Sequence, residues 1–195
     1  ESYASSETGY ITVMDPRDAA RKPGSAGKAV GTATIRILDG GTYPGPYLLL
    51  PDQHAGLTLE SYAGAKITCG HDEEVALFIR DVPDVQVLGL GFEGNCEHVY
   101  LIKVTGRCPG LLLEGLRMFL PEGEGHAIYF WGQEPEEDDA VACVRRCEFT
   151  GGQSAVVVSG FNIDEPSIRL SGQISITDNT IRGGSIGLQG WVAGS

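Results

Sequence analysis

Basic residues are scarce in this chain. Its 14 Lys and Arg stand against 26 Asp and Glu, giving a formal net charge of −12 and a pI near 4.6. That deficit argues against a nucleic-acid partner, because phosphate binding draws on clustered Lys and Arg. Aromatic residues make up only 8% of the chain. No apolar run reaches the roughly twenty residues needed to cross a bilayer, so no membrane span is expected. Glu1-Ser2-Tyr3-Ala4 has neither the basic start nor the apolar core of a secretory signal. The chain begins without Met and ends at Gly194-Ser195 just after a coil, which reads as a piece of a longer protein. Localisation therefore stays open, and is extracytoplasmic if the parent chain carries a signal or membrane segment. Cys69, Cys96, Cys108, Cys143 and Cys147 show no CxxC spacing and no zinc-finger pattern with His, so no metal and no cofactor is expected. An odd count leans toward reduced thiols, with a bridge between Cys96 and Cys108, which flank one strand, left open.

What the chain does have is glycine, 28 residues of it, and a pattern that recurs. Four segments superimpose: residues 85–94, 111–120, 142–151 and 174–183. Each reads apolar-x-apolar-x-x-Z-x-apolar, with Z at Leu90, Leu116, Cys147 and Asn179, spaced 26, 31 and 32 residues apart. A supersecondary unit repeated at that interval marks a solenoid, in which each unit buries its apolar edge against its neighbours. After each segment comes an apolar pair at strand spacing: Val99/Leu101, Ile128/Phe130, Val156/Val158 and Ile186/Leu188. Earlier coils read from Ile35/Ile37, Leu57/Leu59 and Val75/Leu77. The fold class expected is all-β, a single-stranded right-handed parallel β-helix of about six coils, forming one domain over residues 1–195. Residues 1–32 form its amino-terminal cap. In that cap Ile11-Thr12-Val13 is a strand, and Asp15, Pro16 and Asp18 open a short helix that Pro23-Gly24 stops.

These residues carry a resemblance. Ile11-Thr12-Val13, Ala33 to Leu38, Gly41-Thr42-Tyr43, Leu57 to Glu60 and the stretch from Ile174 to Gly190 resemble right-handed parallel β-helix proteins of the pectate-lyase-like superfamily, including its carbohydrate-binding and sugar-hydrolase repeats. The run from Gly31 to Leu50 is also similar to β-helix modules of large bacterial proteins such as planctomycete protein kinases. The resemblance implies the fold; it does not bring an active site. Gly41-Thr42-Tyr43-Pro44-Gly45 has Gly where the pectin methylesterase element has Glu. Gly125-His126-Ala127 lacks the second Gly of the polygalacturonase motif, and no strand offers the clustered carboxylates of a calcium-dependent lyase.

Two function classes remain. Period-two alternation after Val75/Leu77, Val99/Leu101 and Ile128/Phe130 turns Phe78, Tyr100 and Tyr129 outward in one column. Arg80, Ile102, Trp131, Ser159 and Gln189 lie beside it. With His98, the residues Phe78, Arg80, Tyr100, Tyr129, Trp131 and Gln189 form a candidate ligand face for a polysaccharide or a protein partner, unless a loop covers the rings. On this reading the chain is a non-catalytic binding module. The alternative is a carbohydrate-active enzyme of lyase, hydrolase or epimerase type, with His126, Asp138, Asp139 and Arg145 as candidate acid–base groups. The last coil has no following cap, so Trp191, a second copy or downstream sequence is expected to cover it, and self-association through that end is one of these outcomes.

Overall fold

The structure is a computed structural model that describes residues 2–5, 9–13, 28–29, 33–69, 74–94, 99–131, 140–159 and 173–189. At the amino terminus β1 (Ser2–Ser5), β2 (Gly9–Val13) and β3 (Lys28–Ala29) form a small antiparallel sheet. The strand expected at Ile11-Thr12-Val13 lies in β2, whereas the capping helix expected after it falls outside the described residues.

From Thr34 onward the chain winds in repeated rungs. The first two rungs contain β4 (Thr34–Ile37), β5 (Thr42–Pro44), β6 (Tyr47–Leu49), the one-turn helix α1 (Pro51–His54), β7 (Thr58–Ser61), β8 (Lys66–Cys69) and β9 (Val75–Arg80). Then come β10 (Gln86–Leu88), β11 (Gly91–Gly94), β12 (Tyr100–Thr105), β13 (Leu111–Glu114) and the long β14 (Arg117–Trp131). The last two rungs hold β15 (Ala140–Arg145), β16 (Glu148–Ser159), β17 (Gln173–Thr177), β18 (Thr180–Arg182) and β19 (Ile186–Gln189). All pairing between rungs is parallel, and three faces result. The first stacks β4, β7, β10, β13, β15 and β17. The second stacks β5, β8, β11, the start of β14, the start of β16 and β18. The third stacks β6, β9, β12, the end of β14, the end of β16 and β19. The protein is an all-β parallel β-solenoid.

Its length corrects the expected six coils to about four turns. Six strands do stack on the first face, but the first and last have a neighbour on one side only, and the closed interior lies between them. Ile35 at one end and Ile186 at the other are accordingly about half exposed.

The corner between the first and second faces explains the repeat. Gly64, Gly89, Gly115, Arg146 and Asp178 all have left-handed φ, between +54 and +83°. A Cβ on Gly89 would lie 2.4 Å from the Ser61 carbonyl oxygen, so this corner takes no side chain there. The next residue on each rung, Ala65, Leu90, Leu116, Cys147 or Asn179, turns inward. The residue after that donates its N–H to the previous inward residue: Gly91 to Ala65 at 2.8 Å, Arg117 to Leu90 at 3.0 Å, Glu148 to Leu116 at 2.8 Å, and Thr180 to Cys147 at 2.9 Å. Leu90, Leu116 and Cys147 are buried. Burial also pushes the Cys147 thiol up to about 11, which leaves it protonated and unreactive at neutral pH. Cys108 is a free thiol, so it is not bridged to Cys96. Asn179 closes the column with its amide satisfied on the preceding rung rather than its own. It accepts from the Cys147 N–H at 2.8 Å and donates to the Val144 carbonyl at 2.9 Å.

On the third face strict alternation fails, and the expected register shifts. Ala76/Leu77, Leu101/Ile102, Ala127/Ile128 and Ala155/Val156 are successive residues that are buried together. Each pair sits near the start of its strand on the face, and there two neighbours are buried in succession. Ile102 pairs with Leu77 and Ile128 and is fully buried, so it is core, not surface; Ala127 and Ala155 are likewise buried. Val75, expected inward, joins the outer column of Tyr100 and His126.

Candidate functional site

The corrected register rearranges the expected ligand face. One outer column now reads Leu48, Phe78, Lys103, Tyr129 and Val157, with Lys103 where Tyr100 was expected. Arg80, Thr105, Trp131 and Ser159 form the next, and Val75, Tyr100, His126 and Ser154 the one before. The rings still meet: Tyr100 and Tyr129 are 4.7 Å apart between centroids, Tyr100 and His126 5.6 Å, and His126 and Tyr129 5.8 Å. They pack on one another, however, so their faces are engaged within the cluster. Lys103 lays its ammonium over Trp131, Tyr100 and Phe78 at 4.6, 5.2 and 6.0 Å. Val157 and Ser159 share these outer columns but are only 1% and 2% exposed, so the open face stops one rung short of them. Arg80 ion-pairs with Asp81 at 3.5 Å. His98, the Gln189 side chain, Trp191 and the two segments expected to cover the rings, the acidic insertion of Glu134 to Asp139 or residues 161–172, lie outside the described residues.

Of the candidate acid–base groups, the two among the described residues, His126 and Arg145, are not brought together. His126 stands in the ring cluster of the third face. Arg145 stands on the first face, donating to Glu114 at 2.8 Å beside Arg146 at 2.9 Å. Asp138 and Asp139 lie outside the described residues. Among the described residues no group of three His, Cys, Asp or Glu side chains is placed to hold a metal ion, and no helix is long and apolar enough to cross a membrane.

Burial lowers the His126 pKa, and among the described residues Nδ1 has no hydrogen-bond partner. The folded state therefore prefers the neutral ring. Its contribution to stability is complete above the unfolded-state pKa of about 6.5 and is lost as pH falls from there toward the lower folded value. His54, whose Nδ1 accepts the Leu50 N–H at 3.0 Å, is shifted the same way by burial. The melting temperature should fall between about pH 7 and 5, and His126→Gln should make that fall shallower while His54 keeps the remainder. Parallel slopes for the two proteins would show that the ring is not desolvated.

A second site escaped the expected pattern. On the second face the residue after each inward corner residue points outward, giving the column Lys66, Gly91, Arg117, Glu148. Gly91 breaks that column: a Cβ there would meet only the flexible Lys66 Cγ, at 2.9 Å, before the Ala65 carbonyl oxygen at 3.4 Å. The missing side chain opens a groove of about 460 Å³ whose rim includes Lys66, Glu93, Arg117, Phe119 and Glu148. Phe119 is 50% exposed beside the gap. Lys66 is tied to Glu93 at 3.3 Å. Arg117 and Glu148, on adjoining rungs and both exposed, make no ion pair among the described residues. From the Lys66 rung to the Glu148 rung is three steps, about 14 Å at the usual strand spacing.

No family model matches the chain, and neither a curated protein nor a solved structure does. What fold and groove define is a class, a parallel β-solenoid with side chains displayed in registered outer columns.

Proposed function

We propose that the chain is a non-catalytic binding module that holds a polysaccharide against the outside of the solenoid, in the groove of its second face. The supporting observation is the half-exposed Phe119 ring beside the gap at Gly91, with donors Lys66 and Arg117 and acceptors Glu93 and Glu148 around it. A sugar ring has an apolar C–H face that packs on an aromatic ring, and a rim of hydroxyls that both give and take hydrogen bonds. Two cations and two carboxylates leave the groove without net charge, which suits a neutral glycan; a polyanion would meet the repulsion of a −12 chain. The dispersal of His126 and Arg145 to different faces supports binding over turnover.

Calorimetric titration with cellohexaose, xylohexaose and mannohexaose tests this. At least one should bind, and Phe119→Ala or Gly91→Leu should weaken it by about tenfold, roughly 1.4 kcal/mol, at unchanged melting temperature. Binding of none of the three, or binding indifferent to both substitutions, removes the groove from consideration. Release of reducing ends from the bound oligosaccharide, abolished by Glu93→Gln or Glu148→Gln, would convert the reading to a carbohydrate-active enzyme.

A further inference from the structure

The third face presents a different chemistry from the groove. Leu48, 49% exposed, begins an apolar stripe that continues through Phe78 and Tyr129 with Trp131 alongside, over four rungs. In the middle of that stripe stands Lys103, half-buried, its ammonium held over three rings. Lys103 makes no ion pair with any described residue. Among the described residues, the charged or titratable groups nearby on the face are Arg80, already paired with Asp81, the neutral-preferring His126, and Tyr100, whose phenol pKa is raised by burial, Tyr129 and Glu74. This is a prepositioned cation in an apolar setting, and among the described residues nothing of opposite sign is bound to it.

We infer that this face docks a protein segment that sets a carboxylate between apolar side chains. Covering the stripe removes Lys103 from water, and a desolvated ammonium without a counter-charge is costly, so the occupant must bring an acidic group to it. The rings have already fixed the lysine arm, so little rotamer freedom is lost on pairing. Tyr100, His126 and Tyr129 spend their faces on one another, which leaves ring edges and the Leu48 and Phe78 surfaces to meet aliphatic or aromatic side chains. A second copy is the wrong occupant: in a two-fold contact the patch meets itself, and the stripe of Leu48, Phe78, Tyr129 and Trp131 holds no carboxylate to give Lys103.

Fluorescence anisotropy with three labelled peptides of about ten residues, alternating Leu with Glu, Gln or Lys, is the test. The Leu/Glu peptide should bind at least tenfold more tightly than the Leu/Lys peptide. Lys103→Met should erase the preference for Glu over Gln, Lys103→Arg should keep it, and Leu48→Asp should weaken all binding. Each variant should melt with the wild type and keep its oligosaccharide titration, since the groove is on another face. Equal binding of the Glu and Lys peptides, persistence of the Glu preference in Lys103→Met, or binding of no peptide overturns the proposal. So do two other results: Lys103-dependent binding of a uronic-acid oligosaccharide in place of the peptides, and a concentration-dependent dimer that Leu48→Asp dissolves.

Discussion

Gly151→Val should leave almost no folded protein in solution at room temperature. Gly151 lies within β16, where the chain passes from the second face to the third, with φ at +74°. A Cβ there would sit 1.9 Å from the Leu120 carbonyl oxygen and 3.0 Å from its carbon. Both are backbone atoms of the preceding rung and cannot swing aside. The left-handed conformation alone costs an L-residue about 1–2 kcal/mol. Forcing two rungs apart adds to that, and the sum approaches a typical total stability of about 5–15 kcal/mol. Gly64→Ala is the matched control: its φ of +83° is equally demanding, but no atom lies within 4 Å of the added carbon. Circular dichroism melts should show Gly64→Ala losing about 1 kcal/mol and Gly151→Val losing the transition. A Gly151→Val protein melting within a few degrees of wild type would mean that the rungs do not meet closely here.

Ile102→Asp should be nearly as damaging, and it decides the register. Its side chain is fully buried in the core column with Leu77 and Ile128. A carboxylate there has no partner, and an uncompensated buried charge costs several kcal/mol, about 3–5 where partners of buried pairs have been removed. Thr105→Asp, three residues along the same strand in an outer column, should stay within about 0.5 kcal/mol. Urea denaturation of both proteins separates the registers. If Ile102→Asp is harmless, the strand faces the way simple alternation had it, and Tyr100 returns to the column of Phe78 and Tyr129.

That contrast also shows where sequence suffices. The inward column of Leu90, Leu116, Cys147 and Asn179 was legible because a left-handed corner precedes each of them, and the spacing of apolar neighbours around that corner repeats. On the third face one strand was misread, with Tyr100 put in the place of Lys103, because Leu101 and Ile102 both face inward and period two cannot represent two successive buried residues. Lys103 was therefore passed over, although it sits among the aromatic residues that were singled out. The groove was missed for another reason. Gly91 follows Leu90 in a segment full of turn glycines and looks like one of them. Yet the superposition that aligned Leu90 with Leu116 and Cys147 also aligns Gly91 with Arg117 and Glu148, so a gap among charged side chains was available to be read. Asn179 was placed correctly in its column, but its partners on the preceding rung depend on how far one rung sits above the next, which no one-dimensional pattern contains.

The rungs are unequal in length, with 26 residues from Leu90 to Leu116 but 31 and 32 over the next two intervals, and still the first-face strands stay in step from Gln86↔Leu112 to Leu112↔Cys143 and Cys143↔Ser175. The extra residues enter between Trp131 and Ala140 and between Ser159 and Gln173, where the end of the third face returns to the start of the first, while the corner between the second and third faces shortens from Phe119–His126 to Thr150–Ser154. Hydrogen bonds here join each strand to the strand above it, so chain length at that edge is set apart from the stacking of the faces. New sequence can be spliced into this one edge of the prism, and altered or removed again, while the groove and the aromatic stripe on the other faces keep their positions.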